Sequence, residues 1–122
     1  MEYTTLGKSG IKISRICLGA MTFGCGDMVL EGKTTPTPWL LNQEQTDEMV
    51  KTALDNGINF FDTANVYNSG TSEIFLGKSI KKFAKREDVV IATMKENYPL
   101  KQLKENVMNL SRGWILLTLI YI

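Results

Sequence analysis

Two short apolar runs, joined by a segment with helical spacing, constrain what this chain can fold into more than any other feature. Residues 58–64 read Ile-Asn-Phe-Phe-Asp-Thr-Ala, and adjacent phenylalanines leave the run no clean polar face, so it suits a strand covered on both sides. Residues 89–93, Val-Val-Ile-Ala-Thr, are a second such strand, introduced by Asp88. Between them, residues 72–84 carry Leu76, Ile80 and Phe83 at i, i+4 and i+7, one apolar stripe of a helix. An earlier helix is expected from Gln43, where Asn42 can cap it and Gln45 stands at the capping-box position. Met49, Val50, Ala53 and Leu54 are its apolar stripe, and Asn56-Gly57 stops it. With a strand over residues 14–20 in front, the order is strand, helix, strand, helix, strand. That is the rhythm of parallel βαβ units, an α/β architecture in which each crossover helix covers one face of the sheet. Spacing alone fits both an open doubly wound sheet and the opening third of a barrel. No Gly-x-Gly-x-x-Gly follows the first strand, so a dinucleotide-binding doubly wound fold is not supported.

Ahead of this pattern, residues 1–14 alternate about Gly7-Lys8-Ser9-Gly10, as a β-hairpin requires. Residues 24–41 read as a long irregular loop carrying Trp39, which either lines a binding mouth or packs beneath the first helix; the second placement is the expected one. At 122 residues, one domain is the default. A net charge of +1 gives no electrostatic footprint for nucleic acid, and Lys81-Lys82 with Lys85-Arg86 read as a solvated helix face. Cys17 and Cys25 lack the spacing of a zinc site or a redox pair, so reduced thiols are expected and no metal. The first residues do not combine a charged patch with an apolar run, which points to the cytoplasm. The apolar stretch 114–122 is shorter than the roughly 20 residues needed to span a bilayer and reads as a core segment, so no membrane partner is expected.

Asp62 falls at the C-terminal end of its expected strand, where parallel α/β folds place their chemistry, and Tyr67 follows five residues later. By themselves the two residues fit a loop-capping carboxylate and a packed tyrosine better than a reactive pair. Four ordered segments add context: residues 3–10 (Tyr-Thr-Thr-Leu-Gly-Lys-Ser-Gly), 16–21 (Ile-Cys-Leu-Gly-Ala-Met), 57–67 (Gly-Ile-Asn-Phe-Phe-Asp-Thr-Ala-Asn-Val-Tyr) and 70–73 (Gly-Thr-Ser-Glu). In order and spacing they resemble consecutive blocks of the aldo-keto reductase family, and the third is the most specific.

That resemblance implies the N-terminal part of a (β/α)8 TIM-type barrel, preceded by a β-hairpin that closes its floor, with NADPH bound at the top. It implies reduction of an aldehyde or ketone to an alcohol, with Tyr67 as general acid. A free tyrosine has a pKa of about 10, too high for easy proton exchange near neutrality, and a lysine cation beside it would lower that value. Asp62 would hold that lysine. The family's third strand ends Ala-Thr-Lys, whereas this chain reads Ala92-Thr93-Met94-Lys95. Lys95 is one residue beyond the family position, so it faces the other way unless a bulge re-aims it. The family's fourth catalytic group is a histidine on the next strand, and this chain contains none. Gly19, Ala20, Met21 and Thr22, with Asp62, would lie near the nicotinamide. The family's phosphate contacts come from its last two βα loops, so tight NADPH binding by these residues alone is not expected.

The expected organisation is a single partial domain: residues 1–14 the hairpin, 15–94 the first three barrel strands with two helices, and 95–122 a divergent or truncated tail. The expectation is a reductase by descent whose 122 residues are inactive alone and self-associate through exposed sheet edges. Two alternatives remain: a non-catalytic subunit of the same fold, such as a potassium-channel subunit, and a gene remnant without function.

Overall fold

The computed structural model describes residues 1–26, 28–30, 32–36 and 38–94. Helix α1 (Gln43–Asp55) starts where Asn42 accepts a hydrogen bond from the Gln45 backbone while the Gln45 side chain accepts one from the Asn42 backbone, the complete capping box. It ends at Asn56, and Gly57 follows in the left-handed region at φ 80°. Strand β6 (Phe60–Ala64) and helix α2 (Thr71–Phe83) come next, then strand β7 (Val90–Met94). Together with β3 (Leu18–Gly19) these strands form one parallel sheet in the order β3-β6-β7. Right-handed crossovers of this kind place both helices on one side of the sheet. The buried cluster Ala20, Phe23, Val50, Ala53, Phe61, Leu76, Ile80, Val89 and Ile91 fills the layer between. Phe61 is fully buried in the central strand, a burial that stabilises by about 2–3 kcal/mol.

The two helices also share a polar seam. The Asp47 carboxylate accepts hydrogen bonds from Gln43 (2.9 Å), Ser79 (2.6 Å) and Lys82 (2.8 Å), which joins α1 to α2. At the other end of the sheet, β1 (Tyr3–Thr5) and β2 (Lys12–Ser14) form an antiparallel hairpin. It docks on the residues that lead into β6. The Asn59 side chain accepts from Ser14 N–H at 2.7 Å and donates to the Lys12 carbonyl at 3.2 Å, and the Tyr3 hydroxyl donates to the Gly57 carbonyl at 2.9 Å. The hairpin therefore lies at the N-terminal ends of the strands and leaves their C-terminal ends clear.

The structure differs from the sequence-based expectation in four places. The strand expected over 14–20 shrinks to Leu18–Gly19, because these two residues pair with Phe61 and Asp62 of β6 while Ser14 pairs with Tyr3 in the hairpin. The irregular stretch 24–41 contains a small antiparallel hairpin, β4 (Met28–Leu30) with β5 (Lys33–Thr35), and a parallel bridge between Phe23 and Leu41 pins its base. Trp39 is 48% exposed and so does not pack beneath α1. Met49 is 44% exposed, and Thr46, which is fully buried, takes the inner position that the apolar stripe assigned to it. Residues 95–122 lie outside the described residues, and with them Lys95 and the expected tail.

Candidate active site

In β6 the side chains alternate. Phe61 and Thr63 are buried toward the helices, and Asp62 looks out from the opposite face, half-buried. It stands third of five residues in the strand, two short of the C-terminal end where the sequence suggested it. In parallel register it lies between Gly19 of β3 and Ala92 of β7. Among the described residues no atom lies within 4 Å of a Cβ built on Gly19, so these residues leave the space beside Asp62 at the end of β3 open. The Ala20 N–H donates to the Asp62 carbonyl at 2.7 Å, continuing the pairing past the strand.

Tyr67 begins the loop that leads into α2 and is half-buried. Its phenol is held above the ordinary tyrosine value, first by burial and second by the Asp62 charge. Burial raises the Asp62 carboxyl itself. The thiol of Cys17, an exposed residue, is pushed up to about 11, by partial desolvation first and by Asp62 second. One carboxylate therefore acts on a phenol and a thiol from three separate segments, and at neutral pH both of those groups keep their protons. A neutral phenol can donate its proton, and a cation beside it would make it a stronger acid.

The backbone after Tyr67 is unusual. Asn68 and Ser69 have φ values of 51° and 55°, followed by Gly70 at 86°. Each non-glycine residue in this region costs about 1–2 kcal/mol, asparagine less than most. Tertiary bonds hold the turn. The Asn68 side chain donates to the carbonyls of Met21 and Phe23, both at 2.8 Å. Thr71 Oγ1 accepts from Cys25 N–H at 3.0 Å and lies 2.8 Å from the Cys25 carbonyl. The close fit there needs Gly24, whose φ is 120° and whose Cβ, if present, would run into Thr71 Oγ1. Ser72 donates to the Ala20 carbonyl at 2.6 Å, so the 3.0 Å contact between Thr63 and Ser72 has Thr63 as donor.

Of the residues singled out in the sequence, Gly19, Ala20, Asp62 and Tyr67 are brought to one end of the sheet. Ala20 is fully buried, and its methyl group belongs to the core. Met21 is 40% exposed and Thr22 is also exposed; the Thr22 carbonyl accepts from Leu41 N–H at 2.7 Å. Lys95 lies outside the described residues. Sequence reasoning passed over Asn68 and assigned no part to Thr71, Ser72 or Thr63. The one local signal was Asn-Ser-Gly after Tyr67, a run of residues that tolerate left-handed backbone.

Residues 15–116 match the model of the aldo/keto reductase family. The chain is similar to the versiconal hemiacetal acetate reductase of Aspergillus parasiticus, 39% identical over 94 residues that cover 76% of this chain and 25% of the relative. It is also similar to a probable voltage-gated potassium channel subunit beta of Arabidopsis thaliana, 37% identical over 95 residues and again 76% and 25% of the two chains. Among solved structures, an aldo-keto reductase from Bacillus halodurans in a holo form superposes with a TM-score of 0.60 at 25% identity, covering 89% of this chain and 35% of that one. The chain spans about a quarter of the length of the curated relatives it matches.

Proposed function

The chain belongs to the aldo/keto reductase family, and from that premise we propose that it supplies the proton-donating side of a reductase acting on aldehydes or ketones with NADPH. What supports this reading is the gathering of Gly19, Asp62 and Tyr67 at one end of the sheet, where burial first and the Asp62 charge second raise the Tyr67 phenol. The residues present are compatible with the nicotinamide end of the cofactor: among the described residues a Cβ on Gly19 would meet no atom, which leaves room for a flat ring, and Met21 and Thr22, which follow it closely in the chain, are exposed. NADPH supplies a hydride to the carbonyl carbon when bound. Tyr67 holds the proton for the carbonyl oxygen, and Asp62 sets the field in which that phenol sits. Lys95 is the candidate cation that would pair with Asp62 and lower the pKa of the phenol. Ala20 contributes through its backbone, because its N–H and carbonyl are engaged by Asp62 and Ser72.

The 122 residues alone are expected not to turn over, since a barrel of this type takes about 250 residues and carries its chemistry on several strand ends. Ordinary rates of NADPH oxidation by the purified chain, tested on a panel of aldehydes, would overturn that expectation. The site itself is tested by grafting residues 1–93 in place of the matching segment of the Aspergillus parasiticus reductase. The graft should reduce carbonyls, and Tyr67→Phe in it should cut kcat by about 10²–10⁴-fold, the range for general acid catalysis. A folded graft that is equally fast with phenylalanine would remove Tyr67 from the chemistry. The cytoplasm remains the proposed location, and no helix among the described residues is long and apolar enough to cross a membrane.

The similarity to the Arabidopsis thaliana channel subunit favours a second reading, a non-catalytic subunit of the same fold. It calls for a defined oligomer on gel filtration. A monomer at all concentrations would weigh against it.

A further inference from the structure

We infer that Asn68 is the positioning residue of this site, locking Tyr67 and the strand-end segment 20–23 into one rigid unit. The inference rests on reading Tyr67 as the proton donor, and it names what keeps that phenol in place.

Asn68 directly follows Tyr67 and is fully buried. Both hydrogens of its amide are used, one on the Met21 carbonyl and one on the Phe23 carbonyl, each at 2.8 Å. Those carbonyls belong to the turn that leaves β3, and the turn is itself closed by Phe23 N–H donating to the Ala20 carbonyl at 3.0 Å. Ala20 N–H in turn reaches the Asp62 carbonyl at 2.7 Å. The bonds form a closed circuit: Asp62 to Ala20, Ala20 to Phe23, Phe23 to Asn68, and Asn68 by one peptide bond to Tyr67. The Tyr67 backbone is thus tied to the Asp62 backbone through main-chain hydrogen bonds and one buried amide.

The requirements at this position are narrow. The backbone is left-handed at φ 51°, which favours glycine and asparagine. Two donors must fork from a short side chain, which glycine lacks. Aspartate would turn a carboxylate toward two carbonyl oxygens. Among the described residues the buried Asn68 Oδ1 accepts no hydrogen bond, so the contacts its side chain makes there are those of its two donors.

The test reads the position of Tyr67 and does not depend on turnover. The chain is labelled with ¹³Cζ-tyrosine and titrated by NMR, with Tyr67→Phe identifying the resonance. In the unaltered chain Tyr67 should titrate above the ordinary value of about 10. In Asn68→Gly, which keeps the left-handed backbone and removes both donors, the far-ultraviolet circular dichroism should stay that of a folded chain while Tyr67 falls back toward the free value. A folded Asn68→Gly with Tyr67 titrating as before overturns the inference. If that variant does not fold, hydrogen exchange of the Asn68 side-chain amide in the unaltered chain decides. Exchange roughly tenfold or more slower than that of exposed Asn42 supports the clamp, and equal rates overturn it. Failure of the proton-donor reading would show separately, as Tyr67→Phe without effect on the graft's kcat while the Asn68-dependent titration persists.

Discussion

At the scale of single residues, Asp62 is a carboxylate whose position serves its neighbours at its own expense. Burial raises its pKa, which means the folded state binds its proton more tightly than the unfolded chain does. A group with a raised folded pKa contributes stability that is fully present below the unfolded value and is lost as pH rises through the folded one. Asp62→Asn should therefore raise the melting temperature at neutral pH and leave it unchanged at pH 3, below the ordinary aspartate value of about 3.9. Differential scanning calorimetry at the two pH values checks this. A neutral-pH melting temperature at or below that of the unaltered chain would refute this. The same substitution should lower the Cys17 thiol only part of the way from about 11, because burial is the larger cause.

Among the elements, α1 is held at its start and along its inner side by different physics. Its start depends on the capping box between Asn42 and Gln45. Asn42→Ala removes the side-chain acceptor and should cost about 1 kcal/mol, measured as a shift in urea midpoint with the slope unchanged. Its inner side depends on Asp47, whose carboxyl is held down at about 2 by hydrogen bonds from Lys82, Ser79 and Gln43, in that order of size. A depressed carboxyl contributes stability above the unfolded pKa and loses it as pH falls through the folded one. The difference between the unaltered chain and Asp47→Asn should accordingly be present at pH 6 and shrink as pH falls from 3.8 to about 2. A difference that is constant with pH would mean that the seam joins α1 to α2 by shape alone.

For the whole molecule, the sheet is the consequential feature. Among the described residues β3 and β7 each pair on one side only, with β6 between them. Next to β7 a cleft of about 740 Å³ runs along α2, lined by Ile74, Gly77, Lys78 and Lys81 of the helix and by Ile91 of the strand. Unpaired edges and a partly apolar cleft favour association. We propose that the 122-residue chain self-associates in a concentration-dependent way, and that Met94→Lys, which charges the exposed end of β7, weakens this. Sedimentation velocity from low to high micromolar concentration is the measurement. A single monomeric species throughout would refute self-association, and a Met94→Lys profile matching the unaltered chain would place the contact elsewhere.

The sequence alone determined what depends on near neighbours in the chain. The Asn42 cap, the Asn56-Gly57 stop, the helical stripe of Leu76 and Ile80 and the strands around Phe61 and Ile91 are all set by residues a few positions apart, where backbone preference and side-chain period are complete information. The family blocks are likewise linear strings, and they located Asp62 and Tyr67. Tertiary structure decided what depends on neighbours distant in sequence. Met49 was left outside while Thr46 went in, β3 kept only the two residues that pair with β6, and the Ala20 methyl was sent into the core. Asn68 was invisible as a functional candidate because its meaning lies in two carbonyls 47 and 45 residues away. Burial and hydrogen bonding at such range exist only once the chain has closed on itself, so no local pattern could announce them.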